Sequence, residues 1–261
     1  MTPPILTLHR SPTLTLVGAG PGDPDLITLK GIKAIQAADV VLYDALVSSE
    51  ILKLIPAGVP ALSVGKRAGS HEFGQDEINE LIVEFAYLYG HVVRLKGGDS
   101  FVFGRGAEEI EYAESHGVRT TVVPGVTSAI AVPASLNIPV TARGVSESFW
   151  VVTGTTKTGE ISGDVALAAQ SKATVVILMG LSKIKEIMTL FASHGKGETP
   201  VAVIQNGTLP TQKNVVGTVS TVSGLVTIEQ LGPPAIIVVG EVVNYANALN
   251  GIAKEVVGQY Q

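Results

Sequence analysis

A chain of 261 residues with 46% hydrophobic and 16% charged side chains is long enough for one large or two medium α/β domains and too apolar to be disordered. It has no cysteine and a net charge of −5. Disulfides, thiolate metal sites and cysteine nucleophiles are therefore excluded, and nucleic-acid binding gets no electrostatic support. No apolar run reaches the ~18–20 residues of a membrane span. The absence of cysteine fits a cytoplasmic location.

Residues 1–12 carry Pro3, Pro4 and Pro12 and no long apolar core, so they read as a flexible lead-in rather than a signal peptide. Short β-branched runs follow at Leu14–Val17, Val40–Tyr43, Leu62–Val64, Val92–Leu95 and Thr120–Val123, the pattern of buried strands. Between them lie helical patterns. Over Gln75–Tyr89, Ile78, Leu81, Ile82 and Phe85 recur at helical spacing and Gly90 provides a stop. A second helix is predicted over Ala107–His116. Alternating strand and helix predict a mostly parallel, doubly wound sheet over residues 13–137.

Residues 138–148 hold Pro139, Gly144 and several polar side chains and read as a linker. The second domain is expected over residues 149–261. Its strands are predicted at Phe149–Thr153, Val175–Leu178, Val201–Ile204, Asn214–Val219 and Ala235–Val239, with a helix at Lys183–His194. Too few residues separate the Val201 and Asn214 strands for a helix, which implies a hairpin and a mixed sheet.

Seven loops carry the candidate chemistry. Gly18-Ala-Gly-Pro-Gly-Asp-Pro24 follows the first strand. It is either a ligand loop or a plain tight turn, and it fits a dinucleotide fingerprint poorly because Asp23 stands where the third glycine belongs. Asp44, after the second strand, suits a ribose acid, a base, a cation partner or a helix cap. Gly65-Lys66-Arg67 is not a Walker loop; its two cations either bind an anion or form a solvated turn. Lys96-Gly97-Gly98-Asp99-Ser100-Phe101-Val102-Phe103-Gly104-Arg105-Gly106 is the most informative. Its glycines permit close approach, Asp99 can accept from ribose hydroxyls or an amino group, and Arg105 can bind a carboxylate bidentately. In Pro124-Gly125-Val126-Thr127-Ser128, the last two residues can cap a helix or expose N–H groups to a ligand. Met179-Gly180 and Asn206-Gly207 end strands of the second half. The histidines His9, His71, His91, His116 and His194 are isolated, so no metal is expected, and no Gly-x-Ser-x-Gly elbow supports a serine hydrolase.

Six segments, taken in order, resemble the uroporphyrinogen-III C-methyltransferases of the tetrapyrrole methyltransferase family. They are Val17–Pro24, Val41-Leu-Tyr-Asp44, Val64-Gly-Lys-Arg67, Leu95–Gly106, Val123–Ala129 and Asn206-Gly-Thr208. The resemblance spans nearly the whole chain, and the Lys-Gly-Gly-Asp to Phe-Gly-Arg-Gly run is its most specific part. It implies two α/β domains with an active-site cleft between them, in a homodimer. It also implies S-adenosyl-L-methionine as donor and S-adenosyl-L-homocysteine as product. The donor is expected at Pro21, Gly97, Gly98, Asp99, Val102, Thr127, Ser128, Met179, Gly207 and Ala235. The proton acceptor falls on Asp44 and the proton donor on Lys66. Arg105 is expected to be catalytic and, with Arg67, Glu108 and Arg143, to face the macrocycle. The implied activity is two methylations of uroporphyrinogen III, at C2 and C7, giving precorrin-2. A later precorrin is an alternative substrate, and a nicotinamide-dependent oxidoreductase using Gly18–Gly22 and Asp44 is an alternative class. Ala45, Ser100, Ala107 and Thr155 depart from residues frequent in the family.

Overall fold

The computed structural model of the chain describes residues 11–65 and 73–246. They form two compact units, one up to Thr127 and one from Ser128 onward. Lys66 and Arg67 lie outside the described residues, as does most of the segment 1–12.

The first unit runs β1 (Thr13–Gly18), α1 (Leu29–Gln36), β2 (Val40–Tyr43), α2 (Ser49–Leu52), β3 (Ala61–Ser63), α3 (Gln75–Tyr89), β4 (His91–Lys96), α4 (Gly106–Ser115) and β5 (Arg119–Val123). Its strands lie in the order β3-β2-β4-β1-β5, and every neighbouring pair is parallel. Both faces are covered, which is why the strands read as continuous apolar runs. Leu14, Leu16 and Val92 face Ile78, Ile82 and Ala113 of α3 and α4. Val17, Val41, Val93 and Leu95 face Ile35 of α1 and Ile51 of α2. Each fully buried valine, leucine or isoleucine among them contributes roughly 1.5–3 kcal/mol. α3 begins where Gly74 N–H donates to Glu77 Oε2 at 2.6 Å and ends at Gly90, whose φ of 106° favours glycine.

The crossovers explain where a ligand loop should sit. The β1-to-β2 connection passes over β4 on the α1 face. The β4-to-β5 connection passes over β1 on the α4 face. The neighbours β1 and β4 therefore send the chain in opposite directions, and the switch point lies between their carboxyl ends.

The second unit runs α5 (Ser128–Ser135), β6 (Phe149–Thr153), α6 (Gly163–Gln170), β7 (Thr174–Leu178), α7 (Ile184–Ser193), β8 (Pro200–Gln205), β9 (Lys213–Thr218), α8 (Val222–Ile228) and β10 (Ala235–Val239). The order is β6-β7-β10-β8-β9. β6 pairs parallel with β7, and the other pairs are antiparallel, including the β8–β9 hairpin. The sheet is mixed, as the short β8–β9 connection requires. Side chains alternate between faces: Val175, Ile177, Val201 and Val203 face α6, α7 and α8, whereas Val176, Ala202, Ile204 and Val238 face α5.

The units divide at Thr127, ahead of the linker expected at 138–148. The cause is α5. Its Ala129 and Val132 are buried with Val176, Ala202 and Val238 of the second sheet, so the helix after the first sheet belongs to the second unit. Among the described residues, no helix is long and apolar enough to cross a membrane.

Candidate active site

Three loops of the first unit meet at the switch point through their backbones. Gly20 and Gly98 exchange hydrogen bonds, N to O at 3.1 Å and 2.7 Å. A Cβ on Gly18 would stand 2.5 Å from Gly125 N, and one on Gly125 would stand 2.3 Å from Gly98 O. At Gly18 and Gly125, therefore, the need for glycine comes from backbone packed on backbone rather than from a ligand. Asp99 ties the same loops together: its Oδ1 accepts from Phe101 N–H at 2.8 Å and its Oδ2 from Gly125 N–H at 3.0 Å. Each oxygen keeps a lone pair for a hydroxyl or amino group. Pro21, Gly97 and Gly98 are half-buried around this platform, and Val102 follows one turn later. Asp23, which spoiled the dinucleotide pattern, has a structural role: its Oδ1 accepts from Asp25 N–H at 2.9 Å and caps the short 3-10 turn Pro24–Leu26.

Asp44 follows β2, and its backbone N–H donates to Leu95 O of β4 at 3.1 Å. It is not a helix cap, since Ser48 precedes α2. Its Oδ1 instead accepts from Arg94 Nη2, and its Oδ2 lies 3.9 Å from Lys96 Nζ. Arg94 and Lys96 are alternate residues of β4 and point toward α4. There Glu109 Oε1 accepts from Lys96 Nζ at 2.7 Å, from Arg94 Nε at 3.3 Å and from Gln75 Nε2 at 3.3 Å. Arg94, Lys96 and Glu109 are all buried. The two buried cations are thus balanced by buried Glu109 and by the part-exposed Asp44, the condition under which buried charge is tolerated. Burial, and after it Arg94, pushes the Lys96 ammonium below the ordinary lysine range, against the pull of Glu109 and Asp44.

The segment from Ser100 to Gly106 is tightly folded. Cβ atoms on Gly104 and Gly106 would stand 2.6 and 2.7 Å from Ser100 O. Phe103 and Arg105 flank Gly104 at φ 55° and 58°, a conformation that costs a non-glycine residue free energy and clusters at functional sites. Phe101 and Phe103 remain 57% and 45% exposed, so an apolar surface stands beside the platform. Arg105 precedes α4, and its guanidinium binds Glu108 twice, Nε to Oε1 at 2.9 Å and Nη2 to Oε2 at 2.6 Å. That pairing, the largest influence on it, raises the Arg105 pKa.

In the second unit, Met179 directly follows β7 at φ 54°, half exposed, with its O accepting from Thr155 Oγ1 at 3.2 Å. Asn206 and Thr208 flank Gly207 at φ 50° and 70°. A Cβ on Gly207 would stand 2.2 Å from Val132 Cγ1, so close packing on α5 accounts for this glycine. Ala235 opens β10 opposite Gln205. Arg143 is exposed on the turn closed by the Ala142–Ser146 bridge. Thr127 stands immediately before α5, and Ser128 is its first residue.

The first unit therefore brings together Pro21, Asp44, Gly97, Gly98, Asp99, Val102, Arg105 and Glu108 along the carboxyl edge of one sheet and the start of α4. Met179, Gly207, Ala235 and Arg143 belong to loops and strand ends of the second unit. Arg94, Lys96 and Glu109 form the ion-pair network of the candidate Asp44 and are partners that sequence reasoning missed. Their signal was present: two cations at alternate positions of an apolar strand need acidic partners. Among the described residues, no three histidine, aspartate or glutamate side chains are grouped to hold a metal ion.

A family model for the tetrapyrrole (corrin/porphyrin) methylases matches residues 13–223. The chain is 48% identical over 231 residues to a uroporphyrinogen-III C-methyltransferase of Methanocaldococcus jannaschii, covering 88% of this chain and 96% of that protein. It is 48% identical over 242 residues to a siroheme synthase of Psychromonas ingrahamii, covering 90% of this chain and 50% of that one. The chain thus spans about half the length of that relative. Among solved structures it is similar to a uroporphyrin-III C-methyl transferase of Thermus thermophilus complexed with S-adenyl homocysteine. That match has 36% identity and a TM-score of 0.76, over 89% of this chain and 99% of that one. The chain belongs to the tetrapyrrole methylases. The nicotinamide alternative is not favoured: Asp23 is a turn cap and Asp44 an ion-pair partner of Arg94.

Proposed function

We propose that this chain is an S-adenosyl-L-methionine-dependent C-methyltransferase that converts uroporphyrinogen III to precorrin-2 by two successive methylations, at C2 and C7. The observation that carries this reading is the placement of Asp44. Its carboxylate is anchored by Arg94 through one oxygen, stands at the carboxyl edge of the sheet, and is bonded by its own N–H to the strand that leads into Gly97–Asp99.

When bound, the donor supplies an electrophilic methyl on its sulfonium. The residues present fit its chemistry. Asp99 has lone pairs for the ribose hydroxyls, and the backbone of Gly97 and Gly98 turns at the strand end where a ligand can approach. Pro21, Val102, Thr127, Ser128, Met179, Gly207 and Ala235 are assigned to the donor on the family resemblance. Alignment of the attacking carbon and exclusion of water are the main catalytic tasks. A pyrrole nitrogen of the substrate supplies the electron pair for the new C–C bond, while the methyl–sulfur bond would break with its pair remaining on sulfur, so that neutral S-adenosyl-L-homocysteine would be the leaving group. The macrocycle then loses a proton from carbon, the C–H pair returns to the ring, and Asp44 takes the proton. Lys66 is assigned as proton donor. The substrate carboxylates require cations, for which Arg67, Arg105 and Arg143 are proposed, with Glu108 orienting Arg105. A homodimer and a cytoplasmic location are proposed on the same resemblance.

The reading is tested with methyl-labelled S-adenosyl-L-methionine and uroporphyrinogen III. Label in the tetrapyrrole supports it. Label transferred only to a later precorrin contradicts the substrate, and a melting temperature raised by NAD but not by S-adenosyl-L-homocysteine contradicts the class.

A further inference from the structure

The interior beneath Asp44 holds more charge than the fold needs. Arg94, Lys96 and Glu109 are 1%, 4% and 0% exposed, and replacing such clusters by apolar side chains is often neutral or stabilising. The cluster is also imperfect. Glu109 Oε1 accepts three hydrogen bonds, while Glu109 Oε2 is buried and accepts none. A buried carboxylate oxygen left without a partner costs stability, and a retained cost of this kind points to a constraint other than stability.

The distances identify the constraint. Lys96 Nζ is drawn to Glu109 at 2.7 Å and held 3.9 Å from Asp44 Oδ2, beyond hydrogen-bond range. Arg94 is shared, with Nε on Glu109 and Nη2 on Asp44. Asp44 therefore has one oxygen bound and one open, in a side chain still 28% exposed. Were Glu109 uncharged, the closest carboxylate to Lys96 would be Asp44. An ammonium on a four-carbon stem can close a gap of that size. Both oxygens of Asp44 would then be bonded to cations, and such a carboxylate is a poor proton acceptor.

We propose that Glu109 is a positioning residue for Asp44: it draws Lys96 away from the carboxylate, so that one oxygen stays open to receive the substrate's proton. This inference rests on Asp44 acting as the base. The same first turn of α4 carries Glu108, which binds Arg105. Two adjacent acids of one helix turn thereby orient an arginine assigned to the substrate and the cation pair behind the base.

The test compares Asp44→Asn, Glu109→Gln and the double variant Lys96→Met/Glu109→Gln in steady-state methylation, with S-adenosyl-L-homocysteine affinity by calorimetry. Asp44→Asn should lower kcat about a hundredfold or more. Glu109→Gln should lower kcat about tenfold, with KM for the tetrapyrrole and donor affinity within about twofold of wild type. Removing Lys96 as well should return kcat to within about threefold of wild type, because no second cation remains to close on Asp44. A wild-type kcat in Glu109→Gln, beside an inactive Asp44→Asn, overturns the inference and leaves the base assignment standing. Full activity in Asp44→Asn overturns the base assignment itself. If Glu109→Gln does not fold, the double variant carries the test alone: activity near wild type supports the proposal and a folded, inactive enzyme contradicts it.

Discussion

Arg105 and Glu108 stand three residues apart at the start of α4 and are joined by two hydrogen bonds, at 2.9 and 2.6 Å. Both side chains are about half exposed, so the pair contributes little to stability, of order 0–1 kcal/mol. It does fix a planar guanidinium in one orientation. Arg105→Ala should therefore abolish tetrapyrrole turnover while leaving the melting temperature and donor affinity nearly unchanged. Normal turnover in the variant would remove Arg105 from the site.

Asp99 has the opposite character, because its carboxylate joins two loops. Asp99→Ala frees Phe101 N–H and Gly125 N–H together. Bonds to a charged acceptor are worth about 1.5–3 kcal/mol. The variant should lose about tenfold or more in S-adenosyl-L-homocysteine affinity by calorimetry, and some stability to urea. Unchanged affinity would refute its assignment to the donor.

The glycines separate into two kinds, and substitution should show it. Gly18→Ala places a methyl 2.5 Å from Gly125 N, against backbone that cannot yield cheaply, and should destabilise by about 1–3 kcal/mol or more. Gly224 lies in α8 with open space around its Cα, so Gly224→Ala should stabilise by about 0.5–1 kcal/mol. Urea denaturation of both variants checks the pair, and equal effects would contradict the packing described here.

Lys96 gives a pH dependence with a definite sign. Its folded pKa lies below the ordinary lysine value, chiefly through burial. Between those two values the unfolded chain binds more protons than the folded one, so stability due to this group rises with pH. The stability of wild type relative to Lys96→Met should increase as pH climbs toward about 10.4 and then level off. A difference that falls over that range would contradict the buried placement of the ammonium.

How much of this was legible depends on the range of the interactions. The first sheet was readable because short apolar strands, helical periodicity and glycine stops are local signals, and alternation forces parallel pairing. The loops at strand ends were readable for the same reason. The Asp44 network was not. Its partners lie 50 residues away at Arg94 and a further 15 at Glu109, and only the fold brings them together. Nor could the sequence assign α5: Ser128–Ser135 is small, apolar and carries Pro133, so nothing local says which sheet it covers. The glycines of the first loop read equally as a ligand loop or a tight turn, and Gly18 packs on Gly125 of another loop, because a glycine requirement looks the same from sequence whichever backbone approaches.

The most direct measurement of the central claim is mass spectrometry of the tetrapyrrole formed from uroporphyrinogen III and excess S-adenosyl-L-methionine. The expected product carries two added methyl groups and forms through a singly methylated intermediate. A product with no added methyl, under conditions where the donor is bound, would contradict it.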